Sequence, residues 1–221
     1  MKENLSTALS NSLSESTGNI SANLAEVGLD MVVEEGLIRD IPLISTAISA
    51  YKIGKGIREL AYLKKMAAFV QAMNDGIPDE KCRALYKMRI SADERKRNRE
   101  LEYILVLIDR YMRPDKAKML AKLYLAYLDE RIVWDEFVKY AEVVDRLLPG
   151  DYEELQQKIW TDINDSFVSD NLLRLGASGL VVSREINNTD VKDHVLVFSA
   201  PTSKNYEITN FGIKLIECVG D

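Results

Sequence analysis

The chain has 221 residues, 47% of them hydrophobic and 29% charged, with a formal net charge of −6. That length permits one large domain or two small ones, each with a proper core, and the balance excludes a disordered or fibrous chain. Charge is unevenly placed: residues 1–40 carry 2 basic and 7 acidic side chains, residues 52–99 carry 13 and 6, and residues 165–221 carry 5 and 8.

The N-terminus runs from Met1-Lys2-Glu3-Asn4 into Ser- and Asn-rich sequence with no apolar core, so no secretory signal is expected. Residues 1–21 read as a flexible segment, or as a loosely attached helix carrying Leu5, Leu9 and Leu13 that docks only on a partner. Residues 22–38 then predict a helix with Leu24, Val27 and Met31 along one stripe. Pro42 suits the first turn of the next helix, where its missing amide costs nothing. The pattern continues through Leu60, Leu63, Ala67 and Val70, with a bend or close helix crossing expected at Gly54-Lys55-Gly56.

Pro78-Asp79-Glu80 starts a short helix with acidic residues at its positive end. Ser91-Ala92-Asp93-Glu94 predicts a capped start, with Ser91 as the cap, for a helix burying Leu101, Ile104, Leu105, Ile108 and Met112. Pro114-Asp115 opens another helix to about Leu128, with Met119, Leu120, Leu123 and Tyr127 inward. After a turn at Asp129–Ile132, Trp134, Phe137, Val138, Ala141, Val144 and Leu148 line its successor, which Pro149-Gly150 closes. The short connection predicts an antiparallel helical hairpin. A further helical segment is expected over about Tyr152–Ile163.

Beyond residue 165 the chemistry of the pattern changes. Leu172-Leu173-Arg174-Leu175-Gly176 reads as a short helix. Val181, Val182 and Ile186, then Val195 and Val197, mark two strands with Asn187-Asn188 at the turn. Thr209 can cap a closing helix, and Gly212 lets that helix approach its neighbour closely. From Leu172 to Val219 the chain resembles the end of winged-helix regulators of the multiple-antibiotic-resistance and related types. In those, an apolar helix, Gly-Leu-Val, a wing and Tyr-x-Leu-Thr-x-x-Gly-x-x-Leu follow in this order. Here Ile208 stands in place of the usual Leu. The resemblance covers about a quarter of the chain and implies a fold, with no chemistry attached.

Catalytic signatures are missing. His194, the single histidine, has no Cys or His companion at metal spacing, and Cys82 and Cys218 lie far apart, as free thiols of a reducing cytosol would. No nucleophile elbow or phosphate loop occurs; Gly54-Lys55-Gly56 lacks the loop length and the following Lys-Ser/Thr. Asp129-Glu130 and Asp135-Glu136 suit helix ends better than acid–base work. A non-enzyme with no catalytic residue, cofactor or metal is expected.

Two surfaces remain as candidates. Arg89, Arg95, Lys96, Arg97 and Arg99 form a basic belt suited to an anionic partner, against which stands a solvated helix face balanced by Asp93, Glu94, Glu100 and Glu102. The uncharged run Ile41–Tyr51, too short to cross a bilayer, offers Leu43, Ile44, Ile48 and Tyr51 with Lys52 and Lys55 as an interfacial membrane contact, the alternative being a core helix.

Three runs carry a second resemblance: Ile41-Pro42-Leu43-Ile44 through Gly54-Lys55-Gly56-Ile57-Arg58-Glu59, then Leu105-x-x-Ile108-Asp109-Arg110, then Ala117-x-Met119-Leu120-Ala121-x-Leu123. Together they resemble a scattered group of bacterial and prophage proteins, some linked to phage exclusion or abortive infection. That resemblance spans about residues 40–150 and implies no site residues.

The expected fold is mainly α: a multi-helix body over residues 22–150 and a small C-terminal winged-helix-like α/β module over residues 151–221. The expected function is a non-enzymatic cytoplasmic interaction protein of phage or phage-defence origin that binds a protein partner through that module. A DNA-binding regulator is the alternative, and a membrane-active effector using residues 41–73 is the second. Homo-oligomerisation and peripheral membrane association stay open.

Overall fold

A computed structural model describes residues 5–14, 41–51, 56–157, 159–164, 168–185 and 203–220. The chain is mainly helical, with a small antiparallel sheet towards its C-terminus. It divides into two compact units, Met1–Asp145 and Arg146–Asp221.

The first unit contains α1 (Leu5–Ser14), α2 (Pro42–Tyr51), α3 (Ile57–Asp75), α4 (Glu80–Ser91), α5 (Glu94–Arg110), α6 (Pro114–Leu128) and α7 (Trp134–Arg146). Its centre is α3, where every residue from Lys65 to Val70 is buried. The apolar run Met66–Val70 goes more than once round the helix and must be covered on every side, and α6, α5, α2 and α1 all contact α3. Helix α6 is its closest partner and is itself buried at Ala117, Leu120, Ala121 and the run Leu123–Ala126.

Residues 5–14, expected to be flexible or to dock only on a partner, form a helix packed within this unit. Ala8 and Leu9 are fully buried, and Ser12 supplies a reason for the docking. Its hydroxyl donates to the Ala8 carbonyl at 2.9 Å and accepts the Leu43 amide at 2.9 Å. That amide lies in the first turn of α2 and has no partner within its own helix, so α1 satisfies α2. The helix expected over residues 22–38 lies outside the described residues.

Three sequence expectations need correction. The cap of α5 is Asp93, which accepts the Lys96 amide at 3.0 Å, while Ser91 ends α4. Either residue type caps well, and the helix begins at the later one. Met112, expected inward, is 92% exposed. Helix α5 stops at Arg110, Tyr111 turns extended, and the Tyr111 ring is buried in its place with its hydroxyl donating to the Ala141 carbonyl at 2.9 Å. Leu148 also lies about half exposed, beyond the end of α7.

Two lysines are buried in the same unit, each against the carbonyl end of another helix. Lys65 donates to the carbonyls of Asp109 and Tyr111 at 2.7 and 2.6 Å, and Lys116 to that of Asp145 at 2.5 Å. The last carbonyls of a helix lack amide partners and carry partial negative charge, so an ammonium suits them. Burial lowers the Lys65 pKa, opposed by the nearby Asp109 carboxylate.

The second unit contains α8 (Asp151–Leu155), β1 (Ile159–Asn164), α9 (Asp170–Ala177), β2 (Val181–Glu185), β3 (Ser203–Ile208) and α10 (Asn210–Val219). The helix expected over Tyr152–Ile163 is therefore short, and a strand replaces its second half. Strand β1 pairs with β3 across a bulge between Trp160 and Ile163, and β2 pairs with β3 from Val181–Ile208 to Glu185–Lys204, giving the antiparallel order β1-β3-β2. The strand expected at Val195 and Val197, and the turn at Asn187-Asn188, lie outside the described residues.

Helix α9 is capped by Ser169, which accepts the Leu172 amide at 3.1 Å. It ends in a Schellman motif: Leu180 donates to the Leu175 carbonyl and Gly179 to that of Gly176, both at 3.0 Å. Gly179 has φ of 74°, a left-handed conformation that glycine adopts without strain. Thr209 caps α10 by accepting the Gly212 amide at 3.1 Å and donates to the Gly179 carbonyl at 2.8 Å, joining the two helix ends.

Gly212 sits at the tightest point. A Cβ there would lie 2.5 Å from the Leu180 carbonyl oxygen and 2.7 Å from Ile208 Cγ1. Alanine is favoured over glycine in a helix by about 1 kcal/mol, whereas overpacking costs about 1–3 kcal/mol. Gly212→Ala is therefore expected to lower the stability of the C-terminal unit in urea unfolding. A stabilised variant would mean that α10 does not approach Leu180 so closely.

Candidate functional site

The basic belt begins at the end of α4 and continues along α5. Arg89 pairs with Glu130 at 3.1 Å, Lys96 with Glu100 at 3.7 Å and Arg97 with Glu94 at 3.4 Å. Arg95 and Arg99 are exposed and form no ion pair among the described residues. The belt is thus two populations: three cations held by carboxylates and two that reach into solvent.

Aromatic side chains meet α5 from the corner where α6 turns into α7. Trp134 stacks on Phe137 with centroids 4.8 Å apart, and it stands edge-on to Tyr103 at 5.9 Å and to Tyr127 at 5.4 Å. Such offset and edge-to-face arrangements are the favoured ones for aromatic rings. Lys96 lies over the Tyr127 ring, 5.7 Å from its centroid. The Tyr127 hydroxyl donates to Glu100 at 2.8 Å.

Two clefts open at this corner. One, of about 360 Å³, brings together Arg89, Lys96 and Arg97 with Tyr124, Tyr127 and Glu130. The other, of about 440 Å³, is lined by Lys96, Arg99, Glu100, Tyr103, Trp134 and Val138. Lys96 and Glu100 belong to both, as a charged partition between them. Arg95 lies on the same helix and lines neither.

Glu100, Tyr103, Tyr127 and Trp134 carry this geometry; the sequence pattern marks Glu100 as a balancing charge and Tyr127 and Trp134 as inward-facing residues, and it does not mark Tyr103. The signal available was spacing: Arg95, Arg99 and Tyr103 recur every four residues, as do Lys96 and Glu100. Tyr124 and Tyr127, then Trp134 and Phe137, sit three apart on either side of one short turn.

The residues proposed for membrane contact lie elsewhere in this unit. Leu43 and Ile44 are fully buried and Ile48 is half-buried in α2, whose main neighbour is α1. In this fold Leu43 and Ile44 belong to the core. The Tyr51 side chain, Lys52 and Lys55 lie outside the described residues. Among the described residues no helix is long and apolar enough to cross a membrane.

The C-terminal unit presents a second surface, on α9. Asp151, wholly buried, accepts from Arg174 Nη2 at 2.8 Å and Nε at 3.2 Å, and from the Leu148 amide at 2.7 Å. Asn171 accepts from Arg174 and donates to Glu154 at 3.2 Å. Both long polar side chains of α9 are thereby directed at α8. Asp170, Leu173, Gly176 and Ala177 face solvent, with Leu173 55% exposed. His194 lies outside the described residues.

Cys82 and Cys218 form no disulfide. A hydrogen bond with Asp79, then burial, pushes the Cys82 thiol above its ordinary pKa, which lowers its reactivity. Among the described residues no group of three or more His, Cys, Asp or Glu could hold a metal ion. No family model, curated protein or solved structure matches the chain.

Glu100 offers a test of the corner. Burial raises its carboxyl pKa, opposed by the hydrogen bond from Tyr127 and the charge of Lys96. The folded chain thus holds this proton more tightly than the unfolded chain does. The associated stability is fully present below the ordinary glutamate value near 4.3 and is lost as pH rises through the raised value. Urea unfolding should find Glu100→Gln gaining stability relative to the parent as pH rises from about 4.3. A difference independent of pH would show that the carboxylate is not desolvated.

Proposed function

We propose that this is a non-catalytic interaction protein whose C-terminal unit is a winged-helix-like module that docks a protein partner through α9. The element order α8-β1-α9-β2-β3-α10 and the strand order β1-β3-β2 support the winged-helix-like reading.

The observation that carries the docking proposal is the engagement of Arg174. A helix that reads a DNA groove needs Arg, Lys, Asn or Gln on its free face and a positive field around it. On α9 the only such residues are Asn171 and Arg174, and both are held by α8. What faces outward is Asp170, which repels phosphate, and Leu173, which a protein surface can cover. The acidic balance of residues 165–221 points the same way.

A DNA-binding regulator is the second reading, and it would work through the helical unit, where Arg95 and Arg99 reach solvent without an ion pair among the described residues. A membrane-active role would require α2 to release Leu43 and Ile44 from the core. A phage-exclusion or phage-defence context rests on the resemblance in residues 40–150 alone.

A photo-crosslinking amino acid placed at position 173 tests the docking proposal in cells that make the protein, with position 153 as the exposed control. A discrete protein adduct is expected at 173 and none at 153. Leu173→Glu should abolish co-purification of the same adducted partner, at unchanged thermal stability. Equal adducts at both positions, or co-purification indifferent to Leu173→Glu, would remove α9 as the docking surface.

A further inference from the structure

The cleft at the α5–α7 corner combines three chemistries that few ligand classes use together. Tyr103 and Trp134 supply an aromatic corner, with Val138 as an aliphatic wall. Arg99 supplies a positive charge with no ion pair among the described residues, and Arg95 stands one turn behind it on the same face of α5. Glu100 supplies a carboxyl group at the edge, positioned by Tyr127 and Lys96. From Arg95 to Tyr103 the helix rises about 12 Å, so two guanidinium groups and a ring follow one another along a single line.

Each simpler ligand leaves part of this arrangement unused or opposed. Aromatic corners take quaternary ammonium groups, but Lys96 and Arg99 place positive charge in the same cleft. A purely apolar ligand would strip water from Lys96, Arg99 and Glu100 without replacing it. A bare anion would use Arg99 and leave the rings in water. A flat heteroaromatic ring joined to a phosphate uses every wall: stacking is tolerant of which base is present, and a guanidinium fork matches phosphate oxygens. A carboxyl group accepts from exocyclic amines, as it does from cytosine.

We propose that this cleft binds a nucleotide, with the base in the Tyr103–Trp134 corner, its amino group towards Glu100, and the phosphate on Arg99 with Arg95 behind it. The site lies wholly in the helical unit and does not depend on how α9 is used. The same base-plus-phosphate chemistry is offered by a free nucleotide and by a single strand of nucleic acid.

Isothermal titration of the full chain with AMP, CMP and UMP, with inorganic phosphate, and with a short single-stranded oligonucleotide tests the proposal and separates the two sources. One site per chain is expected, with AMP or CMP at least tenfold tighter than UMP and than inorganic phosphate. Arg99→Glu, at an exposed position whose circular dichroism should match the parent's, is expected to weaken binding at least tenfold. Trp134→Leu should do the same provided its helical signal persists. An oligonucleotide more than tenfold tighter than AMP and CMP, with the same Arg99 dependence, would identify the strand as the source; otherwise the free nucleotide is. No binding of either at millimolar concentration would overturn the proposal. So would phosphate binding as tightly as AMP, or affinity unchanged in Arg99→Glu.

Discussion

A carboxylate with no access to water governs the C-terminal unit. Asp151 is fully buried at the first turn of α8, where an unpaired charge would be untenable. Arg174 answers it with two nitrogens and the Leu148 amide with a third hydrogen bond. Gly150 turns the chain into α8 with φ of 88°, and Asn171 and Ser169 both donate to Glu154 alongside the pair. The orientation of α9 follows, because Arg174 fixes which side of that helix faces inward. The outward side then consists of Asp170, Leu173, Gly176 and Ala177. The face that α9 leaves to solvent is therefore set by one ion pair.

The helical unit solves the same problem, polar groups buried at helix ends, by lending side chains between helices. Ser12 of α1 accepts an amide of α2, Lys65 of α3 caps the carbonyl end of α5, and Lys116 of α6 caps that of α7. Each contact spans roughly thirty residues or more in sequence. They fix where the end of one helix meets its neighbour, which apolar packing alone specifies poorly. At the α5–α7 corner the exposed remainder of this framework carries rings and cations together.

Much of the local architecture was legible in the sequence because it is set by neighbours. The cap at Thr209 and the proline starts at Pro42 and Pro114 follow from residue types at fixed offsets, and the Ser169 cap and the Schellman glycine at position 179, which sequence reasoning passed over, obey the same local rules. Elsewhere two local signals competed. Asp93 displaced Ser91 as the cap, and the apolar residues of Ile159–Asn164 fit a strand once β3 was beside them. The corner aromatics were visible as spacings, yet nothing local told that Trp134 would meet Tyr103. The buried partners of Asp151, Lys65 and Ser12 were invisible for the same reason: polar residues carry no mark of burial until their distant partners are known.

The central claim is that α9 holds Asn171 and Arg174 against α8 and so offers a duplex none of its Arg, Lys, Asn or Gln side chains. Fluorescence anisotropy of a labelled random duplex measures this directly, using the full chain with Arg95 and Arg99 both changed to Glu so that the two arginines of the belt without an ion pair among the described residues are removed. No saturable binding is expected up to about 10 µM protein at low salt, where non-specific DNA binders already bind. Micromolar affinity that falls steeply as salt rises would contradict it.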